Sequence, residues 1–202
     1  MSPFPQPLAS VAAPLLQDNV DTDIIIPSRE MRFTGRTGLA DGLFAPWRYS
    51  DADNRTPNPD FVLNQPAHRH AAILLGGANF GCGSSREHAV WALGEWGFRA
   101  VLAESIAPIF MSNCLRNGIL AAPLPRPVLE ALASQQVRID LAAQTVQAGG
   151  RTYSFAIDAE AKEMLMHGLD AIDLTLQQSS EIARWTCQDR QERPWVYLGQ
   201  VR

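Results

Sequence analysis

The octapeptide Gly81-Cys82-Gly83-Ser84-Ser85-Arg86-Glu87-His88 gathers the residues of this chain whose types and order could do chemistry. Glycine at 81 and 83 lets the backbone approach a ligand closely and adopt positive φ. Ser84 or Ser85 suits a helix N-cap, and the helix expected to follow would turn its free N–H groups toward the loop. Such an end attracts anions through its dipole and its hydrogen-bond donors together. Arg86 adds a planar fork shaped for a carboxylate or a phosphate. An arginine in a first helical turn opposes the dipole, and a bound dianion would be a reason for its presence. The plain alternative is a glycine-rich turn with an ordinary serine cap.

Three familiar templates do not fit. A P-loop would need Lys-Ser/Thr after Gly81, where Cys82 stands. A dinucleotide-binding turn would need glycine in the place of Arg86. A nucleophile elbow would need glycine in the place of Glu87. The loop is therefore read as an anion site of another kind.

The elements that must position this loop alternate. Residues 21–27 (DTDIIIP) read as a short buried strand, and residues 71–75 as a second one that breaks at Gly76-Gly77. Residues 84–96 read as a largely buried helix stopped by Gly97, with Trp91 and Trp96 as core residues. A strand at 100–103, a helix opened by Pro108 and a strand at 119–122 follow. A short helix over 127–135 and strands at 137–141 and 151–157, around a Gly149-Gly150 turn, complete the layered part. Helices are expected at 159–168 and 179–185, then a polar tail over about 186–202. Strands alternating with helices and then a hairpin imply a layered α/β domain. Residues 28–60 lack clean periodicity, and a stretch of that length reads as a mobile lid or substrate loop.

Composition narrows the function. At 202 residues and 46% hydrophobic, the chain can bury one sizeable core, and no low-complexity linker divides it. The net charge is −4 and the seventeen basic residues are scattered, unlike a nucleic-acid surface. No apolar run is long enough for a membrane span, and the N-terminus lacks a basic leader region, so a cytoplasmic protein is expected. Three cysteines (Cys82, Cys114 and Cys187) lie far apart, which fits neither a disulfide framework nor a zinc or iron–sulfur site within the chain.

The segment Asn79-Phe80-Gly81-Cys82-Gly83-Ser84-Ser85-Arg86-Glu87-His88-Ala89 resembles the signature of the swivelling domain of the aconitase superfamily. More closely, it resembles the small subunits of bacterial 3-isopropylmalate dehydratases. The likeness runs through Asp18 to Pro27, Arg36-Thr37-Gly38, Gly97 to Val101, Asn113 to Gly118 and Gly168 to Ile172, and so covers nearly the whole chain in order. It implies one three-layer β/β/α swivelling domain over residues 1–202 that works only with a large subunit carrying a [4Fe–4S] cluster. The implied reaction isomerises 2-isopropylmalate to 3-isopropylmalate through isopropylmaleate, by dehydration and rehydration, in leucine biosynthesis. By this resemblance Ser84 is the base, Ser85 and Arg86 hold substrate carboxylate oxygens, and Arg36 is a second substrate arginine. Glu30, Met31 and Arg32 fall where the family discriminates substrate side chains. This stretch departs from the commoner bacterial pattern, as does Asp173, where glycine is usual. Related hydro-lyases acting on citraconate, methylmalate or dimethylmalate therefore stand as alternatives, together with a non-catalytic dicarboxylate-binding module.

Other polar residues weigh less. Asp18, Asp21 and Asp23 lack the oxygen ligands that an EF-hand loop needs at its alternate positions, so capping and turn bonds are expected of them. His68 and His70 read as part of a solvated loop, and His88 as a structural helix-surface histidine. Cys82 reads as a small spacer in the turn, although a helix start lowers a thiol pKa. Trp47 is a candidate partner contact.

Overall fold

The computed structural model describes residues 2–31, 35–51 and 53–197. The chain opens with strand β1 (Leu8–Leu15), an element hidden in the sequence by the prolines around it. Residues 21–27 do not form the expected strand. Thr22–Ile25 make a single helical turn, α1, because the Asp21 carboxylate accepts the Ile24 N–H at 2.8 Å and caps it. That local bond outweighs the β preference of three consecutive isoleucines, and Ile25 and Ile26 are still buried.

The described residues between 28 and 60 include several small elements. Two 3-10 turns (Ser28–Glu30 and Ala40–Gly42), helix α2 (Ala45–Arg48) and a hairpin of β2 (Tyr49–Asp51) with β3 (Thr56–Pro57) follow in turn. Leu39, Leu43 and Phe44 from this region, with Phe61 just after it, enter the core without help from periodicity. Trp47 packs against the same cluster.

The layered part comes next: β4 (Ile73–Gly76), α3 (Glu87–Trp96), β5 (Ala100–Ala103), α4 (Pro108–Arg116), β6 (Leu120–Pro123) and α5 (Arg126–Leu132). Then follow β7 (Gln136–Asp140), β8 (Thr145–Ala148) and β9 (Arg151–Ser154). The glycine pair 149–150 joins β8 to β9, so the expected two-stranded hairpin is a three-stranded meander. Helices α6 (Ala159–His167), α7 (Ala171–Leu176) and α8 (Ser179–Glu192) close the chain. A helix at 171–176 and the extension of the last helix to 192 exceed the sequence reading.

Seven strands form one sheet in the order β6-β5-β4-β1-β7-β8-β9, parallel from β6 to β1 and antiparallel beyond. Its two faces bury different partners. Leu74, Val101 and Ala121 pack with Ala89, Leu93 and Phe110 of α3 and α4. Ile73, Leu75, Leu102 and Leu120 pack with Val137, Ile139 and Val146 of the antiparallel half and with Leu129 and Leu132 of α5. The sheet therefore curls back on itself, and its two halves with the α3/α4 layer make a β/β/α arrangement. β4 and β5 are buried at every residue, as strands covered on both faces must be.

Two smaller expectations fail. His68 is not solvated: it is 5% exposed, with Nε2 3.2 Å from Ser134 Oγ. Trp91 and Trp96 pack against the core cluster but remain half-buried. At the C-terminus α8 buries only Asp189, which is clasped by Tyr197 Oη at 2.7 Å and by Arg193 Nε at 2.6 Å. Trp185, Trp195 and Val196 are exposed beside that clasp.

Candidate active site

In a parallel sheet, the segment after each strand delivers the following helix with its N-terminus at the carboxyl edge. Here β4 leads into α3 and β5 into α4, so two helix starts meet at that edge. Between them lies a cavity of about 190 Å³ lined by Thr22, Gly81–Arg86, Ala107–Phe110 and Asn113. The sequence pointed to one of these helix starts; Pro108 marks the other.

Gly81 and Gly83 take the positive φ values expected of them, 74° and 93°. At Gly81 the close approach is to protein rather than to ligand, since a Cβ there would lie 2.2 Å from Cγ of Phe110. Glycine thus lets the loop lie flat on the first turn of α4. The Gly81 N–H donates to Val20 O at 2.7 Å, and Thr22 N–H donates to Cys82 O at 2.9 Å. The signature loop is in this way stitched to the turn that precedes and contains α1. A third stitch comes from a side chain: Thr22 Oγ1 donates to the main-chain oxygen of Ser84 at 3.0 Å.

Ser84, Ser85 and Arg86 come together on one wall of the cavity, both serines exposed to it. Neither serine is the N-cap. The helix starts at Glu87, and Arg86, in extended backbone, occupies the cap position without a side-chain capping bond. The serine hydroxyls are thus left for other partners, and the arginine no longer opposes the dipole from within the helix. Arg86 Nη1 is ion-paired with the carboxylate of Asp23. The remaining aspartates act as the sequence led one to expect: Asp21 caps α1, and Asp18 accepts the Ala78 N–H at 2.8 Å and binds Arg126. Cys82 is a half-buried member of the loop. Thr22 and Asn113 line the cavity without having been singled out in the sequence, and Asp23, expected to make capping or turn bonds, pairs instead with Arg86; these roles depend on contacts 62 or more residues away or on the α4 start.

Arg36 lies outside the cavity lining. Its guanidinium sits over the Trp91 ring, 5.0 Å from the centroid, on the α3 face next to the loop. His88 packs on the same ring, with centroids 4.7 Å apart. Glu30 pairs with Arg55, Oε2 to Nη2 at 2.6 Å, and Met31 packs on the core. Both turn into the subunit's own structure and neither lines the cavity. Arg32 lies outside the described residues.

Among the described residues no ligand set for the cluster implied by the resemblance is gathered. Cys114 is fully buried in the apolar core, and burial pushes its thiol far above the ordinary range. Cys82 and Cys187 sit in unrelated surroundings, and among the described residues no group of three or more His, Cys, Asp or Glu could hold a metal ion.

A cavity between two helix starts at the carboxyl edge of a curled β/β/α sheet fits one class: a domain of the aconitase C-terminal type. The family model described as "Aconitase C-terminal domain" matches residues 6–127. A 3-isopropylmalate dehydratase small subunit from Cupriavidus necator is 51% identical over 197 residues, spanning 93% of this chain and 95% of that one. Its counterpart from Rhodospirillum centenum is 47% identical, spanning 94% and 96%. Among solved structures, a 3-isopropylmalate dehydratase crystal structure from Methanocaldococcus jannaschii superposes with a TM-score of 0.69 at 25% identity, covering 89% of this chain and 99% of that one. The chain belongs to the aconitase C-terminal domain family and, within it, to the small subunits of 3-isopropylmalate dehydratase.

Proposed function

We propose that this chain supplies the proton-transfer half of a hydro-lyase active site, isomerising 2-isopropylmalate to 3-isopropylmalate after assembly with a large subunit. The observation that carries the reading is Ser84, Ser85 and Arg86 on one wall of a cavity between two helix starts, in a chain half identical to small subunits of that enzyme.

The geometry and the family resemblance together support the following division of labour. Arg86 and the α3 start bind one substrate carboxylate, the arginine through its planar fork. Ser84, as its alkoxide, takes the proton from the carbon next to that carboxylate. The electron pair left on that carbon forms the C=C bond as the C–O bond on the neighbouring carbon breaks and hydroxide departs. Rehydration of the alkene in the opposite sense returns the Ser84 proton to the other carbon. A serine is a weak base at its ordinary pKa, so the positive charge of Arg86 and two helix dipoles is what lowers the cost of the alkoxide. The same charges stabilise the doubly charged carboxylate that develops during deprotonation. The group that receives the hydroxide lies outside this chain. A [4Fe–4S] cluster on the large subunit is the group the family resemblance implies, and it would supply a Lewis acid for the departing hydroxyl.

Arg36 holds the second carboxylate in this reading, while Glu30, Met31 and Arg32 shape the approach of the substrate side chain. Compounds of the citraconate and dimethylmalate type are the competing substrates, and a binding module without turnover is the competing role.

The test is the subunit pair, assembled without oxygen and followed by the ultraviolet absorbance of isopropylmaleate. The expected result is turnover of isopropylmalate in preference to the competing diacids. Ser84→Ala should lower kcat by about 10²–10⁴, the range of a lost general base, while assembly stays intact. Turnover within a fewfold of the unaltered pair would remove Ser84 from the role of base.

A further inference from the structure

Helix α3 carries the signature loop at its start and, along one stripe, Glu87, Trp91 and Glu95 at successive i, i+4 positions. Each is spent on a long-range contact. The Glu95 carboxylate accepts three consecutive main-chain N–H groups: Gly38 at 2.6 Å on Oε1, then Leu39 at 2.5 Å and Ala40 at 2.9 Å on Oε2. These N–H groups open the 3-10 turn Ala40–Gly42, so the carboxylate acts as a cap supplied from another element. One turn closer to the loop, the Trp91 ring carries the Arg36 guanidinium at 5.0 Å, a cation–π placement. The Trp91 ring is itself fixed. Its Nε1 donates to Asn117 Oδ1 at 3.1 Å, and Asn117 Nδ2 donates to Glu87 Oε1 at 2.9 Å. Glu87 directly follows Arg86.

We propose that Trp91 and Glu95 are positioning residues for Arg36, holding its segment so that the arginine stands at a fixed place relative to the Ser84–Arg86 loop. Glu95 clamps the main chain two residues after Arg36, and Trp91 holds the guanidinium from below. A single rigid helix thereby spaces the two arginines, which is what a site for a substrate with two carboxylates requires. This rests on the reading of Arg36 as a carboxylate ligand, and the test below separates the two.

The experiment uses the assembled subunit pair with isopropylmalate as the probe and the variants Glu95→Gln, Trp91→Leu, Arg36→Ala and the double variant Arg36→Ala/Glu95→Gln. Arg36→Ala should raise KM about tenfold or more with a smaller change in kcat, the signature of a lost contact shared by ground and transition states. Glu95→Gln and Trp91→Leu should each raise KM severalfold in the same manner, and Glu95→Gln should add nothing once Arg36 is absent. A merely structural defect would lower the active fraction, and so kcat, with KM unmoved. In the isolated chain, Glu95→Gln should also speed amide hydrogen exchange at residues 38–40. A normal KM in Arg36→Ala would overturn the reading of Arg36 and the inference with it. A raised KM in Arg36→Ala beside normal KM values in Glu95→Gln and Trp91→Leu, or additive losses in the double variant, would overturn the inference alone.

Discussion

The hydroxyl of Thr22 donates to the main-chain oxygen of Ser84 at 3.0 Å across 62 residues of sequence. Thr22 is almost fully buried, so this bond ties the exposed signature loop to the core turn behind it. The preceding glycine, Gly83, would otherwise leave the Ser84 backbone loosely defined, since glycine adds little steric restraint of its own.

Replacing Thr22 with valine keeps the shape and removes the donor. A neutral hydrogen bond contributes about 1 kcal/mol, so kcat should fall about fivefold as Ser84 samples unproductive positions. The thermal midpoint should drop by a few degrees at most. Steady-state kinetics on the subunit pair, with a melting curve of the isolated chain, check both. An unchanged kcat would mean that this tether does not set the serine.

Arg86 shares its fork with Asp23 in the substrate-free chain, and Asp23 is itself largely exposed. A substrate carboxylate bound at Arg86, as proposed, would compete with or join a surface ion pair whose own contribution is small. Arg86→Lys keeps the charge and the pairing with Asp23 but loses the second parallel donor. KM for the diacid should rise about tenfold or more, because a point charge does not replace bidentate geometry. Equal KM values for the two forms would place the carboxylate elsewhere.

How much of this was legible in the sequence differs from residue to residue. Gly81, Gly83 and the Ser-Ser-Arg triplet singled out this loop because loop chemistry is local, and these residues line the cavity between the two helix starts. β4 and β5 were legible because burial on both faces leaves an unbroken apolar run. The turn at Thr22–Ile25 was not, since its isoleucines favour a strand and only the Asp21 cap decides otherwise. Placing the helix start on Arg86 rather than on a serine also escaped, because both serines are good caps and the choice is made by the loop's attachment to α1. Glu95 was not singled out by the sequence at all. Its partners lie 55 to 57 residues away in a stretch with no periodicity, so nothing local pointed to them.

Ile109 stands 59% exposed on the first turn of α4, at the rim of the cavity. An apolar side chain held open beside a polar site is a natural point for a partner to cover. Ile109→Asp should leave the isolated chain as stable as before, since little apolar area is buried there. It should weaken association with the large subunit by about tenfold or more if the side chain is an interface anchor. Titration of one labelled subunit with the other reads the change directly. Unaltered affinity would move the interface away from this rim.

The Glu95 clamp also gives a pH signature. Burial raises the pKa of this carboxyl, but the N–H groups of Gly38, Ala40 and Leu39 lower it further, and the net position is below the ordinary carboxylate value of 4.5. A carboxyl whose pKa is lower folded than unfolded contributes its stabilisation in full above the unfolded value. That contribution fades as pH falls through the folded value. The ordering of residues 38–40 should therefore be constant at neutral pH and be lost only below about pH 4.5. Amide proton shifts of Gly38, Leu39 and Ala40, followed by NMR, should titrate together with a midpoint below that value. In Glu95→Gln the three should show no titration, and their shifts at neutral pH should already resemble those of the acid form. A common midpoint above 4.5, or a titration that persists in the variant, would show that another group governs the segment that carries Arg36.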